Sequence, residues 1–129
     1  MDAGYLRCLS VLLIEDDPDI KEIMILALGL DARIDVATAQ TGASALSTLK
    51  HTPRYDVILL DSQLPDATGV TLAREIRRNH GIPIIFITAA VGSADRASYH
   101  EAGAIGIIAK PFNPLTLAKT VRELLGLTA

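Results

Sequence analysis

Three acids in succession, Glu15, Asp16 and Asp17, close the apolar run 11–14 in the stretch VLLIEDDPD. Three further apolar runs also end on a group that can ionise or donate a proton: Asp61 after 57–60, Thr88 after 84–87 and Lys110 after 105–109. Two carboxylates about 5 Å apart repel by roughly 3 kcal/mol at an effective dielectric of about 20, so a crevice that gathers several of them needs a cation. Lys110 supplies one positive charge. Hard oxygen donors around a small crevice also suit Mg²⁺, with Asp17 and Asp61 as candidates for direct ligands. A metal that keeps some of its water can exchange it for a phosphoryl oxygen, and Lys110 and Thr88 are a point charge and a hydroxyl donor suited to the remaining oxygens. The sequence has no P-loop or dinucleotide fingerprint, so the acceptor is expected to be a side chain of the protein itself, and carboxylates can form aspartyl phosphates.

That chemistry requires the four run ends to meet, and the alternation of elements along the chain brings them together. Short apolar runs at 11–14, 34–37, 57–60, 84–87 and 105–109 read as strands. Segments of helical period at about 18–30, 43–50, 70–79, 94–102 and 114–125 separate and follow them. This is the pattern of βα units around a parallel sheet, an α/β fold, and Ile, Val and Leu dominate strands that are covered on both faces. Right-handed crossovers make every strand end on the same edge, where ligands of open α/β sheets bind. In the last helix Leu117, Val121, Leu124 and Leu125 form a stripe able to lie on the sheet.

The motifs EDD at 15–17, DSQLPDATG at 61–69, ITA at 87–89 and KPF at 110–112 stand in that order, each after a predicted strand. Together they resemble the response regulator receiver domain over nearly the whole chain. The resemblance implies one receiver domain over 1–129 and a doubly wound, flavodoxin-like sheet of five strands in the order 2-1-3-4-5 with five helices. It implies that Asp61 accepts a phosphoryl group from a sensor histidine kinase or a histidine phosphotransfer protein in a Mg²⁺-dependent reaction. By the same likeness Asp17, Asp61 and the backbone carbonyl of Gln63 are metal ligands and Asp16 orients metal-bound water. Thr88 is the switch hydroxyl and Lys110 contacts the phosphate, followed at Pro111 by a peptide bond that is often cis in the family.

The family usually carries an aromatic residue three positions before the lysine, and here that position is Ile107. Coupling from Thr88 is therefore expected through the small residues of the loop 89–93, which let the fourth helix shift. The output partner, or a second copy, is expected on the face of the fourth helix, fifth strand and fifth helix, over an apolar strip of Ile105, Ile107 and leucines of the last helix. Gln63 and Ala90, two positions beyond the acceptor and the threonine, flank the phosphoryl group.

A rival reading is a Mg²⁺-dependent phosphatase of small molecules with an aspartyl-phosphate intermediate. Such a hydrolase usually offers a second acid two residues after its nucleophile, where Gln63 stands. A flavin-binding electron carrier is disfavoured because the acids would face an anionic cofactor phosphate and only five residues are aromatic, three Tyr and two Phe. A net charge of −3 argues against nucleic acid or an anionic membrane as a partner. The apolar run near the amino terminus is too short for a membrane span and too soon closed by acids for a secretory signal, so the reading is a cytoplasmic protein; the resemblance implies a signalling switch and not a turnover enzyme. Asp17 before Pro18 also reads as a helix cap. Cys8 reads as a packing residue, Gly103 as the exit from the fourth helix, Arg74, Arg77 and Arg78 as a solvated face, and His51, His80 and His100 as surface residues.

Overall fold

The computed structural model describes residues 7–127. Strands β1 (Leu9–Ile14), β2 (Ile34–Ala39), β3 (Val57–Leu60), β4 (Ile84–Thr88) and β5 (Gly106–Ala109) alternate with helices α1 (Pro18–Gly29), α2 (Gly42–His51), α3 (Gly69–Asn79), α4 (Ser93–Glu101) and α5 (Leu117–Leu124). The strands form one sheet in the order β2-β1-β3-β4-β5, every neighbouring pair parallel, as expected. Several ends fall elsewhere than the periodicity suggests; β2 runs on to Ala39, for example. β1 begins at Leu9, which pairs with Ile34. α5 begins only at Leu117, because Asn113 folds the preceding residues into a turn: its Oδ1 accepts from Leu115 N–H at 2.9 Å and its carbonyl from Thr116 N–H at 3.2 Å.

Alternation along the strands divides the core in two. Leu12, Ile14, Ile58, Leu60, Ile84 and Phe86 face α2, α3 and α4, packing on Leu49, Leu72, Ile76 and Tyr99. Val11, Leu13, Val57, Leu59, Ile85 and Ile87 face α1 and α5, packing on Met24, Leu28, Leu117 and Val121. Each central strand is thus apolar on both faces, which is why the runs read as continuous and not alternating. At the end of α4 Gly103 takes φ +96°, a left-handed exit that a side chain would strain. Arg77 is not purely solvated as expected: its guanidinium crosses to donate to the Gly103 carbonyl at 2.9 Å.

The strip expected on the output face is divided by the sheet. Ile107 packs on the α4 side, whereas Leu117, Leu124 and Leu125 of the α5 region pack on the other side. Of its members Ile105, just ahead of β5, and Leu115, in the turn ahead of α5, are exposed as large apolar residues, at 41 % and 82 %. Larger apolar exposure lies along α1 and its C-cap, where Ile23, Leu26 and Leu30 recur at helical spacing around the face turned from the sheet. Cys8, expected to pack, is exposed because it precedes the first residue of β1. His51 and His100 are exposed and His80 is half-buried. No helix among the described residues is long and apolar enough to cross a membrane.

Candidate functional site

Strand register assembles the site. Ile14 pairs with Leu60, so the next residues, Glu15 and Asp61, emerge side by side; Thr88 pairs with Ala109, so Lys110 emerges beside them. The backbone continues to pin these residues beyond the ladders: Glu15 N–H donates to the Ala39 carbonyl, Asp61 N–H to that of Ile14 and Lys110 N–H to that of Thr88. Behind Asp61 the turn into α3 folds back tightly. A Cβ on Gly69 would lie 2.4 Å from the Asp61 carbonyl oxygen and 2.8 Å from Ser62 Cα, so only glycine permits this approach. Asp66 ties the same loop to α2, accepting from Gly42 N–H at 2.8 Å and Ala43 N–H at 3.0 Å, and these donors hold its carboxyl below the usual carboxylate range.

Carboxylate oxygens of Glu15, Asp16 and Asp61 all lie within 4.8 Å of one another. Lys110 Nζ bridges two of these acids, donating to Glu15 Oε1 at 2.6 Å and Asp61 Oδ2 at 3.3 Å. Glu15 is 1 % exposed, and its Oε2 is buried with no hydrogen-bond partner. Burial pushes the Glu15 carboxyl up to about 7; the Lys110 hydrogen bond pulls the other way, and the Asp61 carboxylate adds to the rise. Burial lowers the Lys110 ammonium, but the hydrogen bond to Glu15 and the two negative charges outweigh it and leave its pKa raised. The site therefore carries more negative charge than one lysine neutralises, and a buried oxygen in it lacks a partner. Such a donor set fits a hard divalent cation.

Of the acids expected at the crevice, the structure gathers Asp16 and Asp61 together with Glu15. Asp17 does not join this group: its Oδ1 accepts from Asp19 N–H at 2.9 Å and Ile20 N–H at 3.3 Å as the N-cap of α1, with Pro18 as the first helical residue. A side chain committed to two orphan amides of a helix is aimed along that helix and away from the crevice. The signal was present in the Asp-Pro pair, which marks a cap. Gln63 is exposed and lies on the loop after Ser62, where its backbone bridges to Thr68. Thr88 is buried at the end of β4, and its Oγ1 is 2.7 Å from Ser62 Oγ and accepts from Ala90 N–H at 3.1 Å. Ser62, buried and bonded to Thr88, went unremarked in the sequence because a serine in a loop has no distinguishing context. The Lys110–Pro111 bond is cis. Beside Lys110 an open apolar cavity of about 520 Å³ is bordered by Ile20, Ile23, Pro111, Phe112 and Pro114.

The sequence profile of the response regulator receiver domain matches residues 11–122. The DNA-binding response regulator MtrA of Mycolicibacterium smegmatis is 33% identical over 112 residues, 87% of this chain and 48% of that protein. The transcriptional regulatory protein BaeR of Escherichia coli is 36% identical over 115 residues, 89% of this chain and 47% of its own length. The chain thus spans about half the length of these curated relatives. Among solved structures, the chemotaxis response regulator CheY4 of Vibrio cholerae superposes with a TM-score of 0.81 at 31% identity, covering 91% of this chain and 98% of that one. The receiver domain of Francisella response regulator 1452 does so with a TM-score of 0.81 at 28% identity, covering 92% and 97%.

Proposed function

The chain belongs to the response regulator receiver domain family, and on that premise we propose that it is a phosphorylation-controlled switch with Asp61 as the phosphoacceptor. The carrying observation is the Lys110 ammonium held between Glu15 and Asp61 at the common end of the strands, with Asp16 in reach. In the reaction an Asp61 carboxylate oxygen attacks the phosphorus of a phosphohistidine on a histidine kinase or phosphotransfer protein. The new O–P bond forms as the P–N bond breaks, and its electron pair returns to the imidazole of the donor. Asp16 and Asp61, with Glu15 behind them and the Gln63 carbonyl on the adjoining loop, would hold Mg²⁺. Bound there, it neutralises the charge that builds on the transferring group. Lys110 turns from the acids to a phosphoryl oxygen, and the Thr88 hydroxyl donates to another.

The apolar cavity beside Lys110 and the exposed Ile23 and Leu26 of α1 and Leu30 at its C-cap suit the partner that presents the phosphohistidine, which needs an apolar footing close to the acceptor. The partner that reads the phosphorylated state meets the α4–β5 side. The similarity to response regulators favours this switch over a small-molecule phosphatase. Its place is the cytoplasm, where such kinases expose their catalytic domains.

Incubation with Mg²⁺ and a small acyl phosphate should add one phosphoryl group by intact mass. Asp61→Asn and metal chelation should each abolish the gain. Labelling that survives both would overturn the assignment of acceptor and cation.

A further inference from the structure

The loop between Thr88 and α4 runs Ala89, Ala90, Val91, Gly92 and offers no side-chain hydrogen-bonding group of its own. It is held instead by its backbone, from both sides. On the site side, Ala90 N–H donates to Thr88 Oγ1 at 3.1 Å. On the helix side, the phenol of Tyr99 in α4 donates to the Ala90 carbonyl at 2.7 Å, and Arg96 Nε donates to the Val91 carbonyl at 2.9 Å. Tyr99 is buried, 3 % exposed, and its ring stacks on Phe86 of β4 with centroids 4.3 Å apart and planes at 20°. Arg96 is exposed. One residue, Ala90, is thus gripped by the site hydroxyl through its amide and by a buried side chain of α4 through its carbonyl.

We propose that Tyr99 is the positioning residue through which occupation of Asp61 moves α4, by way of the backbone of Ala90. The proposal rests on Asp61 being the phosphoacceptor. A threonine hydroxyl that turns to donate to a phosphoryl oxygen leaves the position where it accepts from Ala90 N–H. Ala90 must follow it or lose that partner, and its carbonyl, one Cα away, carries or releases the Tyr99 phenol. A buried phenol without an acceptor is costly, and its ring is wedged on Phe86, so the adjustment falls on α4. Ile107, paired with Phe86 in the β4–β5 ladder and packed on the same core face, has no group with which to report Thr88. Tyr55, the other described tyrosine, precedes β3 at the opposite edge of the sheet. Tyr99 is therefore the described phenol in contact with the loop.

The test is Tyr99→Phe, which keeps the stacked ring and removes the hydroxyl, read by backbone amide NMR with Mg²⁺ and beryllium fluoride as the acyl-phosphate mimic. In the unaltered chain, amides at Asp61, Thr88 and Lys110 and along α4 should shift; in Tyr99→Phe the three site amides should shift as before while the α4 response falls to less than half. Thr88→Ala should remove the α4 response in either background. A second reading needs no change at Tyr99: its ring resonances should move on adding the mimic to the unaltered chain and stay fixed in Thr88→Ala. An α4 response undiminished in Tyr99→Phe, even with a lowered melting temperature, would reduce Tyr99 to a packing residue, as would ring resonances that ignore the mimic. No shift at Asp61 in the unaltered chain would instead remove the phosphoacceptor reading, and this proposal with it.

Discussion

Replacing Glu15 by Gln should make the stability of the metal-free protein nearly independent of pH across a window where the unaltered chain is strongly dependent on it. Glu15 is buried behind Asp61, one oxygen on Lys110 and the other without a partner, and its pKa lies near 7 in the folded chain against 4.5 as its ordinary value. An acid whose folded pKa is raised binds more protons folded than unfolded between the two values, so stability is highest below about 4.5 and declines as pH rises towards about 7. The full span from 4.5 to about 7 corresponds to about 3 kcal/mol of unfolding free energy. The lowered carboxyls of Asp31 and Asp66 work in the opposite direction, but below their ordinary value of 3.8, outside this window. Urea unfolding followed by far-ultraviolet circular dichroism, in chelator from about pH 5 to about pH 8, reads the slope. The unaltered chain should lose about 2.5 kcal/mol across that range, and Glu15→Gln only about a tenth as much. Saturating Mg²⁺, at about 100 times its dissociation constant, should restore about 2.7 kcal/mol and do so more fully at the alkaline end, where Glu15 is ionised. A flat profile in the unaltered chain, or the same slope in the variant, would show that the burial of Glu15 does not govern its proton.

Two further substitutions probe the same crevice. Asp17→Ala removes a cap and should cost about 1 kcal/mol of stability while leaving acyl-phosphate labelling within a few fold, whereas Asp16→Asn should abolish the Mg²⁺ dependence of labelling; the reverse pattern, by intact mass, would return Asp17 to the ligand set. Lys110→Met strips Glu15 and Asp61 of their shared cation and should cost about 3 kcal/mol in chelator near pH 8, with much of the loss recovered near pH 5, where Glu15 takes up a proton; a loss that is the same at both pH values would mean Lys110 acts through packing.

The fold was legible because its signals are local. Runs of Val, Ile and Leu too short for helices, separated by segments of helical period, admit few arrangements besides a parallel α/β sheet. The motifs that follow four of those runs carried the likeness from which the strand order came. Asp61, Thr88 and Lys110 could be chosen because each directly follows or closes a strand, and parallel strands deliver their ends to one edge. What composition and spacing could not decide was which neighbouring acids turn into the crevice. Ile14 pairing with Leu60 is what sets Glu15 beside Asp61, and past the end of β1 the start of α1 claims Asp17 for its amides. The raised pKa of Glu15 is likewise a property of burial that no single position announces. Tyr99 reads in the sequence as one more residue on a polar helix, and only the packing of α4 on β4 lays its ring on Phe86 and its hydroxyl on Ala90. The pattern of apolar runs determines elements and their common edge, because burial and backbone pairing act on every strand alike. Partners between residues 9 or 95 positions apart are decided by register and helix packing, which exist only once the whole chain has closed on itself.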